Sequence, residues 1–363
     1  MGLLRVLLAL SVLLDHAHGL GGYAMVGGPL AVQCFFIISG FYMGMVLTER
    51  YDRPALNRAF YANRFLRIYG VYFLFLVLHL AIFAAVAAGG GGSPLSPYFE
   101  ASIPWYEKAL LGLLNVTLIG QDLPLWLTIE QGHLAWTSSF VASGDGAVFR
   151  FMVIPAAWSL SLELCFYAIA PFIVRRPAWQ IATLLGASLA ARAVAAMAGL
   201  TGDPFNARFF PFELALFLAG VLSYRLWTAR PEWFQGTPAR LLALAVPAAI
   251  LGWPWLVGSW SADLFFTPPR LLLLTVVALG LPAIHAWRGR SASDRAIGDL
   301  SYPFYLGHLL VLGMVASLSA DPFVRVVLAA LLTLALSWLV VRTVDAPIEA
   351  FRRRLAQRAG VRA

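Results

Sequence analysis

The chain has 363 residues, of which 60% are hydrophobic and only 12% charged, against roughly 45–50% and about 25% in soluble domains. So few charges cannot cover a soluble surface of this size, and disorder, a coiled coil, a collagen-like repeat and a disulfide scaffold are excluded as well. The formal charge of +8 is carried almost wholly by arginine; in a membrane chain that excess marks cytoplasmic loops, so no nucleic-acid partner is expected.

The apolar runs are continuous rather than alternating, which predicts an all-α polytopic membrane protein and excludes a barrel. Ten stretches long enough to cross about 30 Å of hydrocarbon fall near 3–20, 29–48, 68–88, 158–174, 178–199, 209–227, 240–256, 269–287, 302–319 and 323–342. They form one integral-membrane domain over 1–363. The two cysteines, Cys34 and Cys165, lie inside apolar runs, so neither a disulfide nor a metal site is expected.

The first stretch has the outline of a signal peptide, with Arg5 ahead of Val6–Leu14. Asp15, His16 and His18 make a poor cleavage region, so it is expected to remain as a helix. Arg5 and His16 then share one face, separated by roughly 16 Å of helical rise. A neutral imidazole at that depth could take a proton from a hydroxyl; the alternative is a histidine that bonds a neighbouring helix. Ser39 is the polar group of Phe35-Phe36-Ile37-Ile38-Ser39-Gly40-Phe41. Between the second and third stretches stand Arg58, Arg64 and Arg67. Arg64 and Arg67, three apart, project to one side of a helix and could clamp a phosphate, or could simply set topology and meet lipid headgroups. His79, in the third stretch, reads as a packing residue.

Residues 89–157 form an external loop region that carries Trp105, Trp126, Trp136 and His133. Its apolar part, near 109–126, is interrupted by Asn115, Gly120, Gln121, Asp122 and Pro124, and is expected to be non-spanning or re-entrant. Next comes Trp158-Ser159-Leu160-Ser161-Leu162-Glu163-Leu164-Cys165-Phe166-Tyr167. Here Glu163 could orient a nearby imidazole or pair with an arginine or a tryptophan N–H. Glu213, near a helix end, is expected to be structural, and His285 interfacial. Late in the chain, Ser301-Tyr302-Pro303-Phe304-Tyr305-Leu306-Gly307-His308 puts Tyr305 and His308 on one helix, with His308 about two turns from its inner end.

Arginine placement sets the direction. With ten spans and both termini inside, twenty of the 26 basic residues fall on the cytoplasmic side, Arg290, Arg362 and the Arg352–Arg354 run among them. Six fall outside: Lys108, Arg150, Arg192, Arg208, Arg270 and Arg325. An eleventh span at 109–126 would put the arginine-rich tail outside, against the positive-inside rule.

Taken in order, these motifs resemble the acyltransferase-3 family of membrane O-acyltransferases, over nearly the whole chain. Arg5 with His16 matches its Arg-x10-His element, and Phe35–Phe41 its Phe-Phe-x-x-Ser-Gly-Phe. Arg64-x-x-Arg67-Ile68 follows, then Trp158–Tyr167 with Glu163, then Ser301–His308. The family's proline after the Arg-Ile pair is Gly70 here, its tryptophan before the last histidine is Gly307, and its closing Glu-x-Pro is Asp345-Ala346-Pro347. The resemblance implies transfer of an acyl group, with acetyl expected, from cytoplasmic acyl-CoA as co-substrate to a carbohydrate hydroxyl at the outer side, with no tightly bound cofactor. His16, Glu163 and Arg5 are then the catalytic candidates, and Arg64, Arg67 and Arg58 the acyl-CoA candidates. Ser39, Trp158, Ser159, Tyr305 and His308 would line the path of the substrates. The expected setting is a bacterial cytoplasmic membrane. A transporter or flippase for a glycan or lipid-linked molecule is the alternative that span count alone leaves open.

Overall fold

The computed structural model describes residues 1–260, 264–289 and 291–361; Arg290 and Arg362 lie outside them. In chain order the helices are α1 (Gly2–His16), α2 (Gly27–Glu49), α3 (Asn57–Ala88), α4 (Ser96–Glu100) and α5 (Trp105–Thr117). A hairpin, β1 (Leu127–Glu130) and β2 (His133–Trp136), leads to α6 (Trp158–Ile173), α7 (Ala178–Met197), α8 (Phe210–Ala229), α9 (Gly236–Leu251) and α10 (Trp253–Val257). The last group is α11 (Pro268–Arg288), α12 (Ala292–Asp299), α13 (Ser301–Ala316), α14 (Pro322–Val340), a π-helical turn at Val341–Asp345, and α15 (Ala346–Arg358).

Among the described residues, seven helical runs are long and apolar enough to cross a membrane, namely those containing α2, α3, α6, α7, α8, α11 and α14. The chain is a polytopic helical membrane protein. The other three expected stretches are also helical but shorter: α1 has 15 residues, and α9 and α13 have 16 each. At 1.5 Å per residue these rise only about 22–24 Å.

Polar breakers shape the region between α3 and α6. α5 ends at Leu118, whose φ of 61° is left-handed, so the chain turns back at Gly120–Pro124. The end of α5 is tied to α3, where the Tyr69 hydroxyl donates to the Thr117 carbonyl and Tyr72 to that of Asn115. Just beyond, the Gly120 amide donates to Ser161 Oγ of α6 at 3.0 Å. The hairpin is a departure from the all-α expectation. Gln131 and Gly132 take φ of 51° and 78°, the positive values that a tight two-residue turn needs. Ile103, Leu111, Leu114, Leu127, Val148 and Phe151 form a small core of their own there.

The central contact is α2 against α8. A β-carbon on Gly40 would stand 1.9 Å from the Phe217 carbonyl oxygen, and one on Gly220 1.9 Å from that of Ile37, so glycine on both helices lets the backbones touch. Two turns along both helices, two of the five arginines assigned to the outer side are buried in the bundle: Arg192 and Arg270 are only 3% and 2% exposed. Arg192 is paired with the fully buried Glu213. Gln33 Nε2 donates to both oxygens of that carboxylate at 3.1 Å, while its Oε1 accepts from Arg270 Nη2 at 2.8 Å. Two guanidiniums, one carboxylate and one amide thus join α2, α7, α8 and α11, consistent with a structural Glu213.

At the opposite end Asp294 of α12 accepts from the Met1 amino group and from the amides of Gly2 and Leu3. Burial acts to raise this carboxylate, yet those donors outweigh it and hold the group below the usual carboxylate range. Such a carboxylate stabilises the fold fully above its unfolded pKa and progressively less as pH falls through its folded one. Asp294→Asn is therefore expected to lower the melting temperature at neutral pH and to leave a shallower loss of stability on acidification. Melting curves in detergent, taken across that pH range, check both.

Candidate active site

α12 and α13 are separated by Leu300 alone and run alongside α1 in the same direction. The Gly2 amide donates to Asp294 and His16 meets His308, and both pairs lie 292 residues apart in sequence. A constant offset means parallel helices held in register. At the Gly2 end they touch backbone to backbone, since a β-carbon on Gly2 would stand 1.6 Å from the Asp294 carbonyl oxygen. This corrects the expected depth of His308. Counted from Ser301 it is two turns deep; counted through α12 from Asp294 it lies roughly 21 Å along the axis, level with His16.

The two imidazoles approach with His308 Nε2 3.3 Å from His16 Nδ1 and ring centroids 5.1 Å apart. Their protonation follows from their other partners. His308 Nδ1 lies 2.7 Å from the Tyr305 carbonyl and His16 Nδ1 2.9 Å from that of Val12. A carbonyl oxygen only accepts, so each Nδ1 carries the hydrogen and each Nε2 is bare. His16 Nδ1–H is shared between Val12 and His308, which leaves His16 Nε2 as the free base. His308 is fully buried and His16 exposed, so only His16 can meet a substrate.

Beneath the histidines α6 and α13 supply a file of polar groups. Ser159 Oγ and the Tyr305 hydroxyl are 2.8 Å apart; Tyr305 donates to the Ala156 carbonyl, also at 2.8 Å, which leaves Ser159 to donate to Tyr305. One turn further along α6, Glu163 Oε1 accepts from Ser39 Oγ at 2.7 Å and from the Tyr167 hydroxyl. Glu163 sits four residues beyond Ser159 and His308 three beyond Tyr305 on oppositely directed helices, which puts the carboxylate roughly 10 Å below the imidazoles. Glu163, considered in the sequence as a group that could orient an imidazole, bonds Ser39 and Tyr167 of the file instead, and the group that meets His16 is His308.

The file ends in arginines. The Arg64 guanidinium lies 5.9 Å from the centre of the Tyr167 ring and donates to Asn63 Oδ1 at 2.9 Å. Arg67 is within coulombic range of Arg5 and Arg64, and Arg5 and Arg64 are each within that range of Glu163. Arg58 stands apart, exposed on the same helix. Arg352 of α15 also belongs here: Asn63 Oδ1 accepts from its Nη2 at 2.8 Å. The sequence hid it in a run of three arginines, where the signal was Glu349 three residues before it. On the other side of the histidines Trp158 lies under Arg208, whose guanidinium is 4.3 Å from the ring centre and is bonded by Nε to Asp203. Arg208 is within coulombic range of His16 and of Tyr305.

The site therefore has three parts: a basic cluster at the end of α3, a polar file, and an imidazole pair with one free nitrogen beneath an arginine–tryptophan stack. Comparison with known proteins agrees with a transferase. A family model described as an acyltransferase domain matches residues 1–342. The chain is 25% identical over 309 residues to the exopolysaccharide production protein ExoZ of Rhizobium meliloti (strain 1021), covering 84% of this chain and 83% of that one. It is 26% identical over 340 residues to nodulation protein 10 of Rhizobium leguminosarum bv. viciae, covering 85% and 82%. No solved structure matches. The chain belongs to the acyltransferase-3 family and is a multi-pass membrane acyltransferase.

Proposed function

We propose that the protein moves an acyl group, acetyl in the simplest case, from cytoplasmic acyl-CoA to a carbohydrate hydroxyl on the outer side of a bacterial inner membrane, with ten spans and both termini inside. The observation that carries this reading is the imidazole pair at one end of a polar file whose other end is the Arg5–Arg64–Arg67 cluster. The phosphates of CoA meet the cluster through charge-assisted hydrogen bonds. The pantetheine arm, roughly 15–20 Å long, matches the rise of roughly 16 Å from Arg5 to His16, and so brings the thioester to the histidines. The acceptor arrives from the side of Trp158 and Arg208.

In the transfer step His16 Nε2 takes the proton of the acceptor hydroxyl as its oxygen attacks the thioester carbonyl. The tetrahedral intermediate collapses, the carbon–sulfur bond breaks, and the CoA thiolate recovers the proton from the imidazolium. His308 Nε2, which accepts from His16 Nδ1–H, favours the charged form of His16 while it exists. The names of the two relatives, one concerned with exopolysaccharide production and one with nodulation, support a carbohydrate acceptor.

The donor assignment is tested by Arg64→Ala and Arg67→Ala. Each hydrogen bond from a charged group contributes about 1.5–3 kcal/mol. The double variant is expected to raise KM for acyl-CoA by at least about 100-fold while kcat at saturation falls much less. Steady-state release of CoA in the presence of a polysaccharide acceptor measures it. An unchanged KM in a folded double variant would place the donor elsewhere.

A further inference from the structure

We propose that the last helix, α15, completes the phosphate site: Arg352 is a third phosphate-binding guanidinium, and Glu349 is an internal carboxylate whose place a phosphate oxygen takes. This rests on the reading that acyl-CoA binds at the Arg64–Arg67 cluster. It adds a group from outside the family match, which ends at residue 342.

α15 lies antiparallel along the inner half of α3. Ile348 sits over Gly70, where a β-carbon would stand 2.4 Å from its Cδ1. One turn on, Arg352 reaches Asn63. Gly70, the position where the family resemblance expects proline, thus makes room for this helix. The docking brings two guanidiniums onto one neutral oxygen: Asn63 Oδ1 accepts from Arg64 Nη2 at 2.9 Å and from Arg352 Nη2 at 2.8 Å.

The charges around that oxygen are unevenly matched. Arg64, Arg67 and Arg352 lie within coulombic range of one another. Asp299, Asp345 and Glu349 supply opposite charge around Arg67, but only Glu349 is bonded to Arg352, its Oε2 accepting from Nη1 at 2.5 Å. Two donors are left over: Arg64 Nε and Arg352 Nε are buried and have no hydrogen-bond acceptor. Buried unused N–H groups on cations are costly, and two guanidiniums converging on one oxygen, each with a spare donor and with Arg67 within coulombic range, suit a ligand bearing more than one phosphate. CoA carries a diphosphate and a 3′-phosphate.

Glu349 is placed to yield. Its side chain is 35% exposed against 5% for Arg352, and its other oxygen accepts from the exposed Arg353. A carboxylate gripped by one buried and one exposed arginine can swing toward the second when a phosphate oxygen arrives at the first.

The test uses the full-length protein in detergent, with equilibrium binding of radiolabelled acetyl-CoA and steady-state transfer. Arg352→Ala is expected to raise Kd and KM for acetyl-CoA about tenfold or more, with a much smaller change in kcat. Arg352→Lys should recover part of the loss. Glu349→Gln should tighten binding a few-fold, because the competing carboxylate is gone. With S-acetyl-pantetheine, which has no nucleotide phosphates, the ratio of wild-type to Arg352→Ala kcat/KM should shrink to near one.

A wild-type Kd in Arg352→Ala overturns the proposal. So does an equal loss with S-acetyl-pantetheine, or a Glu349→Gln variant that binds as weakly as Arg352→Ala; either result makes the Arg352–Glu349 pair a structural clasp. If Arg64→Ala weakens binding and Arg352→Ala does not, the donor site stands and only the role of α15 falls. If neither does, both fall.

Discussion

Replacement of His16 by alanine is expected to lower kcat by roughly 10²–10⁴-fold, the range for loss of a positioned general base, with little change in the affinity for acyl-CoA. Folding should survive, because the exposed His16 side chain bonds only the Val12 carbonyl and His308. Free imidazole added to His16→Ala should restore part of the rate, since it can occupy the space beside His308 and present a bare nitrogen. Labelling of the wild-type protein separates general-base from nucleophilic catalysis. Wild-type enzyme mixed with radiolabelled acyl-CoA and no acceptor should carry no label at His16; a stable labelled histidine would mean that the acyl group passes through the imidazole. His308→Ala should give a smaller loss, because without His308 the proton on His16 Nδ1 has only Val12 to hold it.

The second large effect is on stability. Glu213 is the single carboxylate bonded within a buried network that holds two guanidiniums, with Arg192 as its ion-pair partner and Gln33 linking it to Arg270. Removing one partner of a buried pair typically costs about 3–5 kcal/mol, because the remaining charge is left without compensation. Glu213→Ala is therefore expected to lower the yield of folded protein and its melting temperature in detergent, while the fraction that folds keeps a near-normal KM for acyl-CoA. Glu213→Ala combined with Arg192→Leu should recover part of the loss. If Glu213→Ala melts with the wild type, the network is not a structural clamp.

How much of this was legible in the sequence depended on whether a signal was local. His16 and Arg5 could be placed by helical rise, and Arg64 with Arg67 by their spacing, because each needs only its own helix. Glu163 was recognised as a polar group inside a span, but its partners Ser39 and Tyr167 were not, since Ser39 comes from another helix more than a hundred residues earlier. Arg192 and Arg270 were counted among the outer charges by distance from a helix end, which says nothing of burial; their burial depends on Gln33 and Glu213 on two other helices. The depth of His308 failed for a related reason. α12 is polar, so hydropathy did not extend α13 through it, and the length that lifts His308 to the level of His16 went uncounted. The hairpin at Leu127–Trp136 was hidden by a turn made of Gln131 and Gly132, a weaker signal than the usual Asn-Gly.

The pairing of α1 with α12 and α13 also bears on how the enzyme is made. His308 follows His16 by 292 residues, so the His16 imidazole meets its partner only after the helices from α2 to α12 have been made. A chain interrupted before α13 contains the arginines of α3 and His16 of α1, yet lacks the imidazole that meets His16 Nδ1. The imidazole pair is thus completed late in synthesis, with the closing of the bundle.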